Sequence, residues 1–137
     1  MTTLANRFHF TSLDDFEPDD NLRLFEQAEK MRNGLEAKKV EPTLRNLVVA
    51  LFFAEPSTRI ALSFQAATQR LGGSTISNPV TSLVKGETLT HTLRIIPGYA
   101  DIIVLRHSLE NTHELVQDVR VPVINSGAVA TNILLKL

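Results

Sequence analysis

Apolar residues along this 137-residue chain fall either into short solid runs or into stretches where they recur every three or four positions. The strongest run is Leu47 to Phe53 (LVVALFF), continuously apolar as a strand covered on both faces must be. Pro56 ends it and Ser57 is placed to cap a helix. Leu62, Ala66, Ala67 and Leu71 then predict the apolar face of that helix, which Gly72-Gly73 closes. Upstream, Leu13-Asp14-Asp15 and Pro18-Asp19-Asp20 carry helix-start signals. Leu22, Phe25, Ala28, Met31 and Leu35 follow at helical spacing and predict an amphipathic helix packed on the core. Downstream the pattern predicts a short strand over 74–77, a polar loop over 78–85 and a helix over 88–96 stopped by Pro97-Gly98. A buried strand over 102–105, a helix over 109–116 and a strand over 121–124 come next. Strand and helix alternate throughout, so the expected fold is α/β, a three-layer sandwich around a parallel sheet, with residues 1–137 as one domain.

Composition narrows the function classes. Hydrophobic residues make up 43% of the chain, enough for a core, and 14 basic against 15 acidic residues leave no charge excess to attract nucleic acid or an anionic membrane. With no cysteine, disulfides and thiolate metal sites are excluded, which agrees with a reducing cytoplasm. No leader-like stretch or apolar run of membrane length occurs, so the expected setting is cytoplasmic with no membrane partner. The histidines at 9, 91, 107 and 113 lack the spacing of a metal site or of a Ser/His pair, and neither a G-x-x-x-x-G-K-[ST] nor a G-x-G-x-x-G loop is present. No metal or cofactor is expected.

Chemistry is instead expected at strand ends, because ligands of open parallel sheets sit outside the carboxyl ends near a topological switch point. Three predicted strands end in polar residues: Ser57-Thr58-Arg59, Arg106-His107 and Asn125-Ser126-Gly127. At the first, helix-terminal amides, two hydroxyls and a guanidinium fork would converge on one place, a cradle for phosphate or a similar oxyanion. By itself a Ser-Thr-Arg triplet reads as a plain cap followed by a solvated arginine, and a lone arginine at a strand end as a carbonyl cap or ion-pair partner.

Longer context changes that reading. The segment FFAEPSTRIALSFQAATQRLGG resembles the carbamoyl-phosphate signature of the aspartate and ornithine carbamoyltransferases, F-x-E-P-S-T-R-T-x-x-S-F-x-x-A followed by L-G-G. The resemblance continues at Lys85-Gly86-Glu87-Thr88, at Tyr99-x-Asp101-x-Ile103-Val104-x-Arg106-His107 and at Val121-Pro122-Val123-Ile124-Asn125, and its details favour the aspartate branch. It implies that Ser57, Thr58 and Arg59 hold the phosphate of carbamoyl phosphate and that Arg106 reaches its phosphate and carbonyl region. Arg59 and Arg106 would thus be the catalytic pair. The resemblance also implies that Thr81, Ser82 and Lys85 lie on a loop entering a neighbouring subunit's site in a homotrimer. The family reaction, attack of the aspartate amine on the carbamoyl carbon with phosphate leaving, needs positioning and oxyanion stabilisation and no covalent nucleophile.

Departures from the family pattern are equally definite. Ile60 replaces the threonine of S-T-R-T, which is expected to put a branched apolar group beside the ligand and weaken affinity. His91 stands where the family has an aspartate after Thr88. After Asn125 the chain runs Ser126-Gly127-Ala128-Val129-Ala130-Thr131-Asn132 and then Ile133-Leu134-Leu135, without the H-P-T-Q block whose histidine and glutamine contact the carbamoyl group. The family's amino-acid-binding second domain has no counterpart here. Three readings follow: a shortened carbamoyl-phosphate domain that binds without transferring, an inactive assembly module that associates with itself or with a complete homologue, and a structural α/β domain with a relic phosphate turn.

Overall fold

A computed structural model of the chain describes residues 9–12, 16–77, 89–107 and 112–127. Helix α1 (Pro18–Glu36) precedes β1 (Val48–Phe53), α2 (Thr58–Arg70) and β2 (Ser74–Ser77). Helix α3 (Leu89–Ile95), a 3-10 turn at Ile96–Gly98, β3 (Ile102–Arg106), α4 (Thr112–Val116) and β4 (Val123–Asn125) follow. The four strands form one parallel sheet in the order β2-β1-β3-β4. Phe10 extends the far edge through a parallel bridge to Ile124.

The solid apolar run of β1 is explained by burial on both sides of the sheet, since successive side chains alternate faces. Ala50 and Phe52 join Ile103, Leu105 and Val123 on one face, packed by Leu93 of α3 and Val116 of α4. Val49, Leu51 and Phe53 join Val104 on the other, packed by Ile60 of α2. The three-layer α/β arrangement expected from the pattern is therefore the one observed. Asp101 anchors the two central strands at their start: its carboxylate accepts the Val48 amide at 2.8 Å and its own amide donates to the Val48 carbonyl at 2.8 Å. This aspartate of the Tyr-x-Asp motif thus serves sheet registration at the amino-terminal end.

Two helical faces differ from expectation. In α2 the buried positions are Ile60 and Thr68, with Ala61 and Phe64 partly buried, while Leu62 is 59% exposed. The face is Ile60-Phe64-Thr68, at spacings of four, and the polar Thr68 is tolerated because its hydroxyl donates to the Phe64 carbonyl at 2.8 Å. In α1 most of the stripe expected to pack on the core is exposed: Leu22, Met31 and Leu35 are 58%, 41% and 38% exposed, Phe25 is partly buried, and the one buried residue of the helix is Asp20. The reason is geometric, since α2 covers one face of the sheet and α3 and α4 the other.

Smaller shifts have local causes. The last strand starts at Val123, not at residue 121, because Pro122 has no amide to give to a ladder. Helix α4 is described from Thr112, and the expected start at 109 lies outside the described residues, as do the expected loop over 78–85 and the expected helix start at 88. Gly72 closes α2 as expected, with φ of 87°, and a Cβ there would meet Pro42 Cβ at 2.9 Å.

Candidate functional site

Strand order places the crevice. β1 has β2 on one side and β3 on the other, so the chain leaves β1 first to one side and later returns to the opposite one. The connections after β1 and β3 diverge at their carboxyl ends, where the Ser57 turn and Arg106-His107 lie. The two ends are held in register by the Phe53–Arg106 pairing and by the Ala54 amide donating to the Arg106 carbonyl at 2.8 Å.

At the β1–α2 turn, Ser57 takes the N-cap position with extended backbone, and its side chain makes no capping hydrogen bond. The first helical bond is donated by the Ala61 amide to the Ser57 carbonyl at 3.0 Å, so the Thr58, Arg59 and Ile60 amides have no intrahelical acceptor. Thr58 and Arg59 are exposed, and no ion pair among the described residues involves Arg59. The local chemistry is that of a helix start suited to an anion: donors, a positive dipole end and a guanidinium, with a hydroxyl not used for capping.

Ile60 corrects the sequence expectation. Its side chain is 6% exposed and packs with Val49, Leu51, Phe53 and Val104, turned from the crevice into the core beneath the turn. The residue is a foot that seats α2 on the sheet, not an apolar neighbour of a ligand. Ile60→Thr should accordingly lower folding stability by about 1–2 kcal/mol, the cost of a lost methylene and a buried hydroxyl. A urea titration showing equal or higher stability would contradict this placement.

Arg106 closes β3 and lies across Gly127. A Cβ on Gly127 would fall 2.9 Å from Arg106 Cζ, 3.0 Å from Cγ and closer still to Nη1. The Nε of Arg106 is buried without a hydrogen-bond partner among the described residues, and a donor of that kind in a dry place calls for an acceptor. Beneath it is a polar network that motif reading did not find. His107 Nε2 lies 2.8 Å from Thr112 Oγ1. The Asn125 amide nitrogen donates to Thr112 Oγ1 at 3.3 Å and to the Thr11 carbonyl at 3.0 Å, and its oxygen accepts the Gly127 amide at 3.2 Å. Ser126 donates from its hydroxyl to the Leu105 carbonyl at 2.9 Å. The only sequence signal was polarity at the ends of two apolar strands.

Two histidines make the fold sensitive to acid. Burial holds His107 below its ordinary pKa, with the charge of Glu55 acting weakly the other way. His9 is lowered by burial and then by the charge of His113, against a main-chain hydrogen bond at Val119. Its Nδ1 accepts the Val123 amide at 3.0 Å and must be unprotonated to do so. For a group whose folded pKa is depressed, stability is full above the unfolded pKa, about 6.5 for histidine, and is lost as pH falls from there toward the folded value. Melting temperature should therefore drop between pH 7 and 5, with a shallower slope in His9→Gln and in His107→Gln. A flat profile in the wild-type chain would contradict it.

Of the other expected site residues, Thr81, Ser82 and Lys85 lie outside the described residues, as does the segment from 128 onward. No group of three or more His, Asp or Glu placed to hold a metal occurs among the described residues. No helix among them is long and apolar enough to cross a membrane. A pocket lined by Lys30, Met31, Lys39, Val40 and Leu71 opens between α1 and the segment before β1, at the amino-terminal end of the sheet and away from the crevice.

Known proteins fit this geometry. Residues 8–132 match the family model described as aspartate/ornithine carbamoyltransferase, carbamoyl-P binding domain. The aspartate carbamoyltransferase catalytic subunit of Methanococcus vannielii is 46% identical over 125 residues, covering 87% of this chain and 41% of that protein. The catalytic subunit of M. jannaschii aspartate transcarbamoylase superposes with a TM-score of 0.83 at 39% identity, covering 96% of this chain and 45% of that one. Aspartate transcarbamoylase from Trypanosoma cruzi, solved in complex with carbamoyl phosphate and aspartate, superposes with a TM-score of 0.79 at 33% identity, covering 88% and 41%. The chain thus spans about two fifths of the length of these relatives. With the parallel sheet, the Ser-Thr-Arg helix start and the strand-end arginine all in the matched region, the chain belongs to the aspartate/ornithine carbamoyltransferase family, in its carbamoyl-phosphate-binding domain.

Proposed function

We propose that this chain binds carbamoyl phosphate, and phosphate more weakly, in the crevice at the carboxyl ends of β1 and β3, as the carbamoyl-phosphate half of an aspartate carbamoyltransferase of the cytoplasm. The observation that carries the reading is the α2 start. Among the described residues, the Thr58, Arg59 and Ile60 amides, the Ser57 hydroxyl and the Arg59 guanidinium have no partner, and they lie beside the strand end that carries Arg106. Ser57, Thr58 and Arg59 hold the phosphate. Arg106, with a buried Nε that still needs an acceptor, faces the carbonyl side, where negative charge develops as the amine attacks. Thr81, Ser82 and Lys85 complete the anion site of a neighbouring copy in a homotrimer, or of a complete homologue, so their contribution depends on association.

The 137 residues by themselves are expected to bind and not to transfer, since they span about two fifths of the relatives' length. The test is thermal melting with carbamoyl phosphate. A ligand at a hundred times its dissociation constant, bound only to the folded state, adds about 2.7 kcal/mol. Arg59→Ala should lose most of that shift at every protein concentration, and Lys85→Ala only where sedimentation shows association. A folded protein with no shift in tens of millimolar phosphate would leave the crevice a relic. Formation of carbamoyl-aspartate that Arg59→Ala abolishes would show that the chain transfers after all.

A further inference from the structure

We propose that His107 is a positioning residue for the anion site: through Thr112 and Asn125 it fixes the Gly127 turn, and with it the bed on which the Arg106 guanidinium lies. The inference rests on the crevice being the binding site, but its geometry stands apart from any ligand. Arg106 Nε has no hydrogen-bond partner among the described residues, so the direction of the guanidinium depends on the surface it packs on. That surface is Gly127, which Arg106 touches where a Cβ would otherwise be. Whatever fixes the Gly127 turn therefore fixes the arginine.

The turn is fixed by an unbroken chain of buried polar groups. The Gly127 amide donates to Asn125 Oδ1, the Asn125 amide nitrogen donates to Thr112 Oγ1, and that hydroxyl lies 2.8 Å from His107 Nε2. His107, Thr112 and Asn125 are 1%, 5% and 2% exposed, so none of these bonds is readily replaced by water. Their direction follows from counting donors. A hydroxyl has one proton and two lone pairs. The Asn125 amide nitrogen can only donate, so it takes one lone pair of Thr112 Oγ1 and leaves the second lone pair or the hydroxyl proton for His107 Nε2, according to the ring tautomer. Volume alone would be satisfied by leucine at position 107. A histidine there brings a polar group to Thr112 that leucine would not, and a connected buried network of this kind selects one arrangement of the turn.

The experiment is NMR on the ligand-free chain, following the Gly127 amide and the Arg106 Nε–H, in wild type, His107→Leu, His107→Gln and Thr112→Val. His107→Leu and Thr112→Val should both shift the two resonances. His107→Gln, which keeps a polar group for Thr112, should leave them near their wild-type positions. Calorimetry with inorganic phosphate should show affinity about fivefold weaker, ~1 kcal/mol, in His107→Leu and largely restored in His107→Gln. Leucine and glutamine variants that behave alike, both moved or both unmoved, overturn the proposal. Should His107→Leu not fold, Thr112→Val decides, and unmoved Gly127 and Arg106 resonances overturn it. A wild type that binds no phosphate while the resonances follow the expected pattern refutes the proposed function and leaves the positioning role standing.

Discussion

Asn125→Ala is expected to lower folding stability by about 3 kcal/mol, the largest single-residue effect at the strand ends. The side chain is 2% exposed and joins three parts of the chain: the Thr11 carbonyl, the Thr112 hydroxyl and the Gly127 amide. Truncation leaves a carbonyl, a hydroxyl and an amide without this partner in a place sealed from solvent. Each buried orphan costs roughly 1–3 kcal/mol, and partial entry of water keeps the total near the lower end of their sum. The main-chain bonds of Phe10 with Val123 and Asn125 remain, at 2.9 and 2.8 Å, so β4 should persist while its carboxyl end loosens. Urea unfolding reads the loss directly. A change under 1 kcal/mol would mean that the amide is not the junction described.

Gly127→Ala should do the reverse, sparing stability and weakening phosphate binding about 30-fold, or ~2 kcal/mol, within the range for a charge-assisted hydrogen bond. The new methyl would occupy the position of Arg106 Nη1 and press on Cζ and Cγ. The guanidinium is the far end of a flexible chain, so it swings away at small conformational cost, and its buried Nε then finds water. Folding loses little. Binding loses the arginine that the crevice was built around. Phosphate affinity within twofold of wild type, measured at equal protein stability, would show that Arg106 does not act from that bed.

These two residues also mark where sequence pattern stops being informative. The sheet was legible: an unbroken apolar run such as Leu47 to Phe53 can be buried only if both faces are covered, and helical spacing between such runs supplies the covers. The Ser-Thr-Arg turn was legible because helix starts have strong local signals, and Gly72 because a positive φ favours a residue without a Cβ. Rotation of the helices was not. Apolar residues stand at 60, 61, 62, 64, 66 and 67, so several faces of α2 satisfy a 3.6-residue period, and contact with Val49, Leu51 and Val104 selected the one carrying Ile60.

Helix α1 shows the same limit from the other side. Its stripe announces a face that could be buried, but whether anything lies against it depends on which sheet faces are already occupied, and among the described residues both are. The polar network was out of reach for a related reason. His107, Thr112 and Asn125 follow no local period, and they meet because β3 and β4 end, and α4 starts, at one place beside the parallel sheet. Sequence by itself determined which segments are strands, where the Ser-Thr-Arg turn lies and which family the chain resembles, because those properties depend on neighbours along the chain. Tertiary structure alone decided that Ile60 is core, that most of the α1 stripe is exposed and that Gly127 supports Arg106, because each depends on what distant segments bring within a few ångströms.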